Sequence, residues 1–200
     1  YLPNGMVRQY SLCNPPGETG RYLIAILKEP QSRGGSRWVH EELVVGQSLE
    51  ISYPRNNFAL TPAATGYLLF AGGIGITPIL AMAQDLNAQG VPFQLFYFSR
   101  SPAAMAFRAQ LQASQYRDHV HFHFDSGEDA ISIDEALELI PGAHVYVCGP
   151  DGFIRVVGER AVALGVAEER IVIERFAANV VKGETNFTVL LQRSGTQVTV

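Results

Sequence analysis

Apolar residues in the first quarter of the chain follow the two-residue alternation and short runs that are typical of antiparallel strands. Up to about Pro54 they alternate with polar residues, or form short runs between Gly, Pro and Asn breaks. This pattern is typical of strands joined by turns, and it predicts part of an antiparallel β-barrel. The predicted elements are strands over 6–12, 22–27 and 48–53, a short helix over 36–43 and a linker over 55–66.

From residue 67 the pattern changes to apolar runs that alternate with segments of helical period. Alternation of this kind predicts a doubly wound, parallel, five-stranded α/β sheet, which binds ligands at the carboxyl ends of its strands. The predicted strands are 67–71, 93–99, 119–124, 144–148 and 171–176, and the predicted helices are 78–89, 103–112, 132–139 and 151–164.

The last residues predict a hairpin formed by 187–192 and 197–200, which turns at Ser194-Gly195. A lone hairpin is marginally stable in water, so we expect this one to begin a further domain. The predicted division is a flavin-binding barrel portion over 1–60, a nicotinamide-binding α/β domain over 61–178, and a linker with the first hairpin of a ferredoxin-like domain over 179–200.

Composition narrows the class of protein. The chain has a net charge of −4 and no run of Lys or Arg, which argues against nucleic acid and against a polybasic membrane patch. Its two cysteines, Cys13 and Cys148, predict neither a disulfide framework nor a zinc site and favour the reducing cytoplasm. The uncharged stretch 66–83 is long enough to span a membrane, but Gly72, Gly73, Gly75 and Pro78 at its centre favour a strand, a turn and a helix.

One glycine-rich turn follows a buried strand and opens a helix. Glycines let a diphosphate approach the backbone, and the helix N-terminus offers free N–H groups, so the turn predicts dinucleotide binding. A turn that needs glycine only for steric reasons is the alternative, and Pro78 stands where the usual fingerprint has its third glycine. Thr77 is predicted to cap the helix. The residues of the turn are Gly72, Gly73, Ile74, Gly75, Ile76, Thr77 and Pro78.

Three further motifs carry candidate chemistry. Arg8-Gln9-Tyr10-Ser11-Leu12 combines a side chain that can bind phosphate, an aromatic ring and a hydroxyl. An ordinary amphipathic strand is the alternative explanation of this segment. Arg33-Gly34-Gly35-Ser36 suits a terminal phosphate, with a plain Ser N-cap as the alternative. Cys148-Gly149-Pro150 places a thiol at the end of a strand, where a buried structural Cys is the alternative.

These motifs, in this order and followed by Glu174-Arg175-Phe176, resemble the ferredoxin–NADP reductase superfamily. Within it, the Gly-Gly-Ser before a helix, Pro54-Arg55-Asn56-Asn57-Phe58 and a hairpin after the last Phe are similar to the phthalate dioxygenase reductase family. The similarity extends over essentially the whole chain.

The resemblance implies a cytoplasmic, monomeric reductase that takes hydride from NADH onto FMN and passes single electrons, through a [2Fe-2S] centre, to an aromatic-ring oxygenase. Its catalytic residues would be Ser11 near flavin N5, Thr77 near both ring systems and Cys148 beside nicotinamide C4. Flavin binding would involve Arg8, Gln9, Tyr10, Ser11, Ala25, Ile26, Leu27, Arg33, Gly34, Gly35, Ser36 and Phe176. The nicotinamide nucleotide would be bound by Gly72, Gly73, Ile74, Gly75, Thr77, Pro78, Ser99, Arg100, Cys148, Gly149, Pro150 and Phe153.

Two departures from the family pattern lead to a further expectation. The Arg-x-Tyr-Ser strand lies unusually close to residue 1, and two cysteines cannot supply the four thiolates of a plant-type cluster. We therefore expect a reductase fragment that lacks the start of the flavin barrel and most of the [2Fe-2S] domain, with no metal ligand in these residues.

Two other functions stay open from the sequence. Ser99-Arg100 after the second strand of the sheet suits a 2′-phosphate, which keeps an NADPH-dependent FAD reductase as an alternative. A regulatory domain that binds a dinucleotide without turnover is the other alternative.

His119, His121 and His123 alternate on one strand, and a polar strand face is favoured there over a metal site.

Overall fold

A computed structural model describes residues 1–125 and 131–176, together with the backbone of two strands beyond them. The central strands are continuous apolar runs, as expected for strands that are covered on both faces. The elements are α1 (Gly35–Glu41), β1 (Tyr67–Gly72), α2 (Ile76–Gln89), β2 (Phe93–Ser99), α3 (Arg108–Gln112), β3 (Val120–Phe124), α4 (Ile133–Glu138), β4 (His144–Cys148), α5 (Asp151–Ala163), β5 (Ile171–Glu174), β6 (Thr188–Leu191) and β7 (Thr196–Thr199).

The predicted parallel sheet is confirmed. Its five strands are all parallel and lie in the order β3-β2-β1-β4-β5, so strand order reverses at β1. Every residue of β1 is buried, because helices cover both faces of this central strand. In a sheet of this order the cleft for a ligand lies at the carboxyl ends of β1 and β4.

The strands predicted for the barrel do not form. Residues 6–12 and 22–27 are joined by a single antiparallel bridge between Leu12 and Ile24, and 48–53 forms no strand. The Asn14 side chain explains the early end of the pairing: its Oδ1 accepts from the Leu23 amide at 2.8 Å, and its Nδ2 donates to the carbonyl oxygens of Glu18 and Arg21. Two short strands without further neighbours are also marginally stable.

The helix predicted over 103–112 is broken. A 3₁₀ turn at Pro102–Ala104 precedes α3, and between them Met105 is extended and buried in the core. Phe107 then adopts a left-handed conformation with φ 58°. Burial of Met105 thus overrides the helical pattern. β5 also ends at Glu174, two residues before the predicted end.

The C-terminal hairpin is confirmed as an antiparallel pair, β6 with β7. Its predicted turn at Ser194-Gly195 lies outside the described residues. Within the described part of the chain, no helix has the length and apolar character needed to cross a membrane.

Candidate functional site

The turns that follow β1 and β4 pack directly against each other. A Cβ on Gly149 would lie 3.0 Å from the Gly72 Cα, and a Cβ on Gly75 would overlap the Cys148 carbonyl oxygen. Gly72, Gly75 and Gly149 are therefore required for the close approach of the two turns. The steric explanation of this glycine motif holds at these three positions.

Gly73 differs from its neighbours. It has a φ of 53°, and a Cβ placed on it would meet nothing within 4 Å. Open space beside a left-handed glycine lets a ligand approach the backbone closely. Of the glycines in this turn, Gly73 is thus the one placed to face a diphosphate.

Thr77 does not cap the helix as predicted. The N-cap position of α2 is Gly75, because a 3₁₀ turn at Gly73–Gly75 starts the winding two residues early. Thr77 lies inside the first turn of α2, is buried, and its hydroxyl donates to the Ile74 carbonyl at 3.0 Å. Pro78 occupies the same turn, where its missing N–H costs no helical hydrogen bond.

Cys148 and Glu174 lie side by side at the carboxyl edge of the sheet. They are paired in register on β4 and β5, and the Cys148 side chain is fully buried. Burial, and next the Glu174 carboxylate, raise the pKa of the Cys148 thiol to about 12, so it is protonated at neutral pH. Burial also raises the pKa of Glu174, whose Oε2 has no hydrogen-bond partner among the described residues.

Glu174 is a candidate site residue that the sequence motifs do not single out. The signal that points to it is a carboxylate at the carboxyl end of an apolar strand, next to a glycine cleft. A half-buried acidic group with a shifted pKa is a common mark of a functional site.

Phe153 covers the junction of the two turns. Its ring lies against Gly72 and Gly149, where a Cβ on either would come within 2.9 Å of the Phe153 Cδ1. The ring also packs on Phe98 of β2, with centroids 5.0 Å apart. Pro150, at the N-cap of α5, completes the wall of this cleft.

Ser99 and Arg100, predicted to line the nicotinamide-nucleotide cleft, lie at the end of β2. Ser99 is the last residue of β2, and its hydroxyl donates to the Ser101 carbonyl at 3.3 Å. Arg100 is exposed and follows directly. This position after the second strand is where the nucleotide ribose lies in doubly wound folds.

Arg8 and the Arg33–Ser36 loop, predicted to hold one phosphate together, are in contact. Arg8 Nη2 donates to the Arg33 carbonyl at 3.3 Å, and the Arg8 side chain fills the space beside Gly35 that a Cβ would occupy. Gly34 has a φ of 96°, so the loop at this point is left-handed.

Ser36 is not the N-cap that the alternative interpretation predicted. The N-cap of α1 is Gly34, and the Ser36 hydroxyl instead bonds the Ser32 hydroxyl at 3.0 Å. Ser32 also accepts the amides of Gly34 and Arg37, so Ser32 is the side chain that caps this turn.

The remaining flavin candidates lie in the same irregular segment. Tyr10 and Ser11 are half-buried, and burial raises the pKa of Tyr10. The Ile26 carbonyl is contacted by His40 Nε2 at 2.8 Å, so one backbone group of the predicted Ala25–Leu27 edge is already occupied. Gln9, Leu27 and Phe176 are exposed.

Of the three histidines predicted to form a polar strand face, His119 is exposed, whereas His121 and His123 are packed against aromatic rings. His123 is 3% exposed and its ring stacks on Phe98 at 4.2 Å, while His121 stacks on Phe96 and donates from Nε2 to Gln94 Oε1 at 2.7 Å. Among the residues whose positions are described, no group of three or more His, Cys, Asp or Glu could hold a metal ion.

Comparison with known proteins identifies the α/β part. Residues 69–159 match the family described as the oxidoreductase NAD-binding domain. Vanillate O-demethylase oxidoreductase of Pseudomonas sp. (strain HR199 / DSM 7063) is 47% identical over 200 residues, which cover 98% of this chain and 63% of that protein. The carnitine monooxygenase reductase subunit of Escherichia coli (strain K12) is 41% identical, over 96% of this chain and 60% of its own length.

Solved structures agree with these matches. Phthalate dioxygenase reductase superposes with a TM-score of 0.82 at 38% identity, covering 99% of this chain and 63% of that one. An intact type IV self-sufficient cytochrome P450 monooxygenase superposes at 0.84 with 34% identity, over 96% of this chain and 26% of that one. This chain spans about three fifths of the length of the curated reductases named above. Residues 69–159 thus form an oxidoreductase NAD-binding domain, and the chain as a whole is similar to vanillate O-demethylase oxidoreductase and phthalate dioxygenase reductase.

Proposed function

We propose that these residues form the flavin- and nicotinamide-binding part of an oxygenase reductase, which accepts hydride from NADH onto FMN and passes electrons on singly. The observation that carries the proposal is the meeting of the glycine turn, Cys148 and Glu174 at the carboxyl edge of the parallel sheet. The relatives named above include a monooxygenase reductase and a dioxygenase reductase, and the same role is proposed here.

The nicotinamide nucleotide would lie across the ends of β1 and β4. The open backbone at Gly73 and the start of α2 would receive the diphosphate, whose negative charge suits a helix N-terminus. Phe153 would exclude water from the cleft, and Ser99 and Arg100 would line its adenosine end.

The loop around Arg33 fits the terminal phosphate of FMN. Arg8 supplies a guanidinium held against Gly35, Arg33 and Ser36 lie in the same loop, and the left-handed Gly34 keeps Cβ atoms away from the backbone. Gln9, Tyr10, Ser11 and the Ala25–Leu27 backbone would contact the flavin ring, and Phe176 would pack beside it. The barrel that these segments would complete, over 1–60, is part of the proposal.

The flavin, when bound, accepts a hydride as an electron pair and can release the electrons one at a time. The protein groups orient the two ring systems: Thr77 closes the first turn of α2, and Cys148 fills the space at the end of β4 with a neutral thiol. Because this thiol is protonated at neutral pH, and the neighbouring Glu174 carboxylate makes its ionisation less favourable still, we assign it a positioning role and not a nucleophilic one.

Electrons would leave the flavin through a [2Fe-2S] centre held outside these residues. Cys13 and Cys148 are buried free thiols, and such a cluster takes four thiolates. The proposed partner is an oxygenase component, and the proposed state is a cytoplasmic monomer.

A direct test is to express the full-length protein that contains this chain. Heat release and chromatography of the bound cofactor should yield FMN, and anaerobic NADH should bleach the yellow protein. Bound FAD would contradict the cofactor assignment, and flavin that NADH leaves oxidised would favour the alternative of a dinucleotide-binding regulatory domain.

A second test concerns electron delivery. The protein with its iron–sulfur domain should support NADH-driven oxygenase turnover, whereas a variant without that domain should reduce only artificial acceptors such as ferricyanide. Oxygenase turnover without the iron–sulfur domain would show that electrons leave the flavin directly.

The alternative of an NADPH-dependent FAD reductase is supported by one observation. The segment from Ser99 to Arg108 contains two arginines and no acidic residue, whereas an Asp or Glu near the end of the second strand is the usual ligand of an NAD ribose. The relative rates with NADH and NADPH distinguish the two candidates.

A further inference from the structure

The Gln84 side chain joins α2 to the segment that carries the flavin candidates. Its Nε2 donates to the Cys13 carbonyl at 2.9 Å and to the Leu80 carbonyl at 3.0 Å. Cys13 lies two residues after Ser11 and is fully buried in the same core cluster as the sheet. Since the first turn of α2 begins at the glycine motif, one side chain ties the position of Ser11 to that motif.

Tyr146 makes a second connection of this kind. Its hydroxyl accepts from the Thr61 amide at 2.7 Å and donates to the Ala59 carbonyl at 2.9 Å, and its ring packs on Phe58 with centroids 5.3 Å apart. Tyr146 is fully buried on β4, two residues before Cys148. The segment between the predicted domains is thereby bound to the strand that ends at Cys148.

We propose that Gln84 and Tyr146 are positioning residues for hydride transfer, which set how closely the segment 8–13 approaches the glycine turn and Cys148. This inference rests on the proposed function. Hydride transfer needs donor and acceptor atoms held about 3–3.5 Å apart, and a displacement of about 1 Å can slow such a step a hundredfold.

Both connections are suited to this task because one side of each is shielded from water: Cys13 and the Tyr146 side chain are fully buried. Without Gln84, the Cys13 carbonyl loses a hydrogen bond that water cannot easily replace, so residues near Cys13 would shift to find another partner. Without the Tyr146 hydroxyl, the half-buried Thr61 amide likewise loses the hydrogen bond that holds its segment to β4. Each residue acts through the backbone that it holds.

The test uses Gln84→Met and Tyr146→Phe in the full-length flavin-loaded protein, since both substitutions keep shape and remove hydrogen bonds. The matched controls are Gln94→Met, which removes an amide bonded to His119 and His121, and Tyr116→Phe, whose hydroxyl makes no hydrogen bond to the described residues. Stopped-flow reduction at saturating NADH, with a deuterium isotope effect from C4-labelled NADH, reports hydride transfer itself.

We expect each test variant to lower the limiting rate of flavin reduction about tenfold, and the double variant to lower it further, because the reacting atoms lose their alignment. Flavin content and the Kd for NADH should stay within about twofold of the unaltered protein. Two readouts apart from turnover should follow: weaker charge-transfer absorbance when NAD⁺ is added to reduced protein, and faster hydrogen exchange of the Thr61 amide in Tyr146→Phe.

Several outcomes overturn the proposal. Reduction rates and charge-transfer absorbance equal to those of the controls, with a comparable fall in Tm, would leave both residues with a purely structural role. If Gln84→Met fails to fold, Tyr146→Phe decides alone, because it keeps the ring in the core. An unaltered protein that NADH does not reduce would contradict the proposed function, and the hydrogen-exchange result would still report whether Tyr146 holds the segment.

Discussion

Cys148 and Glu174 face each other across adjacent parallel strands, and the thiol is fully buried while the carboxyl group has a buried oxygen with no partner among the described residues. Burial raises the pKa of both groups, and the Glu174 carboxylate raises the pKa of the Cys148 thiol further. The pair therefore presents a neutral thiol and a carboxyl group that binds its proton more tightly than usual.

Cys148→Ala should slow hydride transfer about tenfold while flavin content stays unchanged, because the nicotinamide ring loses the surface that orients it. Stopped-flow reduction of the flavin by NADH measures this rate. Leu111 lies on α3, in the core and far from the two turns in sequence. Leu111→Ala therefore controls for a general loss of stability. Unchanged hydride transfer in Cys148→Ala would limit the thiol to packing.

Glu174→Gln tests the other member of the pair. Because burial raises the pKa of Glu174, the rate of flavin reduction should depend on pH with an apparent pKa above 4.5, and the amide should abolish that dependence. Reduction rates measured from pH 5 to 8 in both proteins decide this. The same pH profile in Glu174→Gln would assign the titration to another group.

Gly75→Ala should destabilise the fold by roughly 1–3 kcal/mol, since its Cβ would overlap the Cys148 carbonyl and backbone cannot move as a flexible side chain can. Gly158→Ala is the matched control: it lies inside α5 with nothing within 4 Å of an added Cβ, so it should stabilise by roughly 0.5–1 kcal/mol. Denaturant unfolding measures both. Equal effects of the two substitutions would contradict the close packing of the turns.

The parallel sheet was predictable because its information is local. Each strand is an apolar run of its own, as in 67–71, and each crossover has a helical period, so the pattern determines the order of elements and the position of the cleft. Arg8 also contacts the Arg33–Ser36 loop, and the phosphate site that the two would share stays a prediction.

The irregular parts were not predictable from the same patterns. An amphipathic run such as 6–12 becomes a strand only beside other strands, and Asn14 takes up the groups that would continue its pairing with the Leu23 segment. The start of α2 depended on the 3₁₀ winding of a glycine turn, which sequence does not encode as clearly as a Thr N-cap. Glu174 was overlooked because its partner Cys148 is 26 positions away in sequence.

NADH should reduce the flavin faster than NADPH, and Arg100→Ala should change the two rates differently. If Arg100 lies free in solution beside a 2′-hydroxyl, its loss leaves the NADH rate nearly unchanged. If it binds a 2′-phosphate, its loss weakens NADPH binding by about tenfold or more, as expected for a charge-assisted contact. Stopped-flow reduction with both donors makes the comparison. Comparable or faster reduction by NADPH would contradict the NADH assignment.

His123 should make the fold less stable in mild acid. Burial, and next the neighbouring His121, lower the pKa of His123 to about 4, against 6.5 for an unperturbed imidazole. Between these values the unfolded chain binds a proton that the folded chain does not, so stability from this group is complete above pH 6.5 and is lost as pH falls toward 4. The loss should reach up to about 3 kcal/mol.

His123→Phe should remove most of this pH dependence and keep the stack on Phe98, because a phenyl ring has similar shape and does not titrate. His40→Phe is the control, since His40 is exposed on α1 and its loss should leave the dependence in place. Urea unfolding at pH 4.5, 5.5 and 7 measures the free energy of unfolding of each protein. A His123→Phe variant that loses as much stability between pH 7 and 4.5 as the unaltered protein would show that other groups cause the acid sensitivity. A free energy of unfolding that stays constant from pH 7 to 4.5 in that variant alone would show that the buried, neutral imidazole of His123 causes the loss of stability in acid.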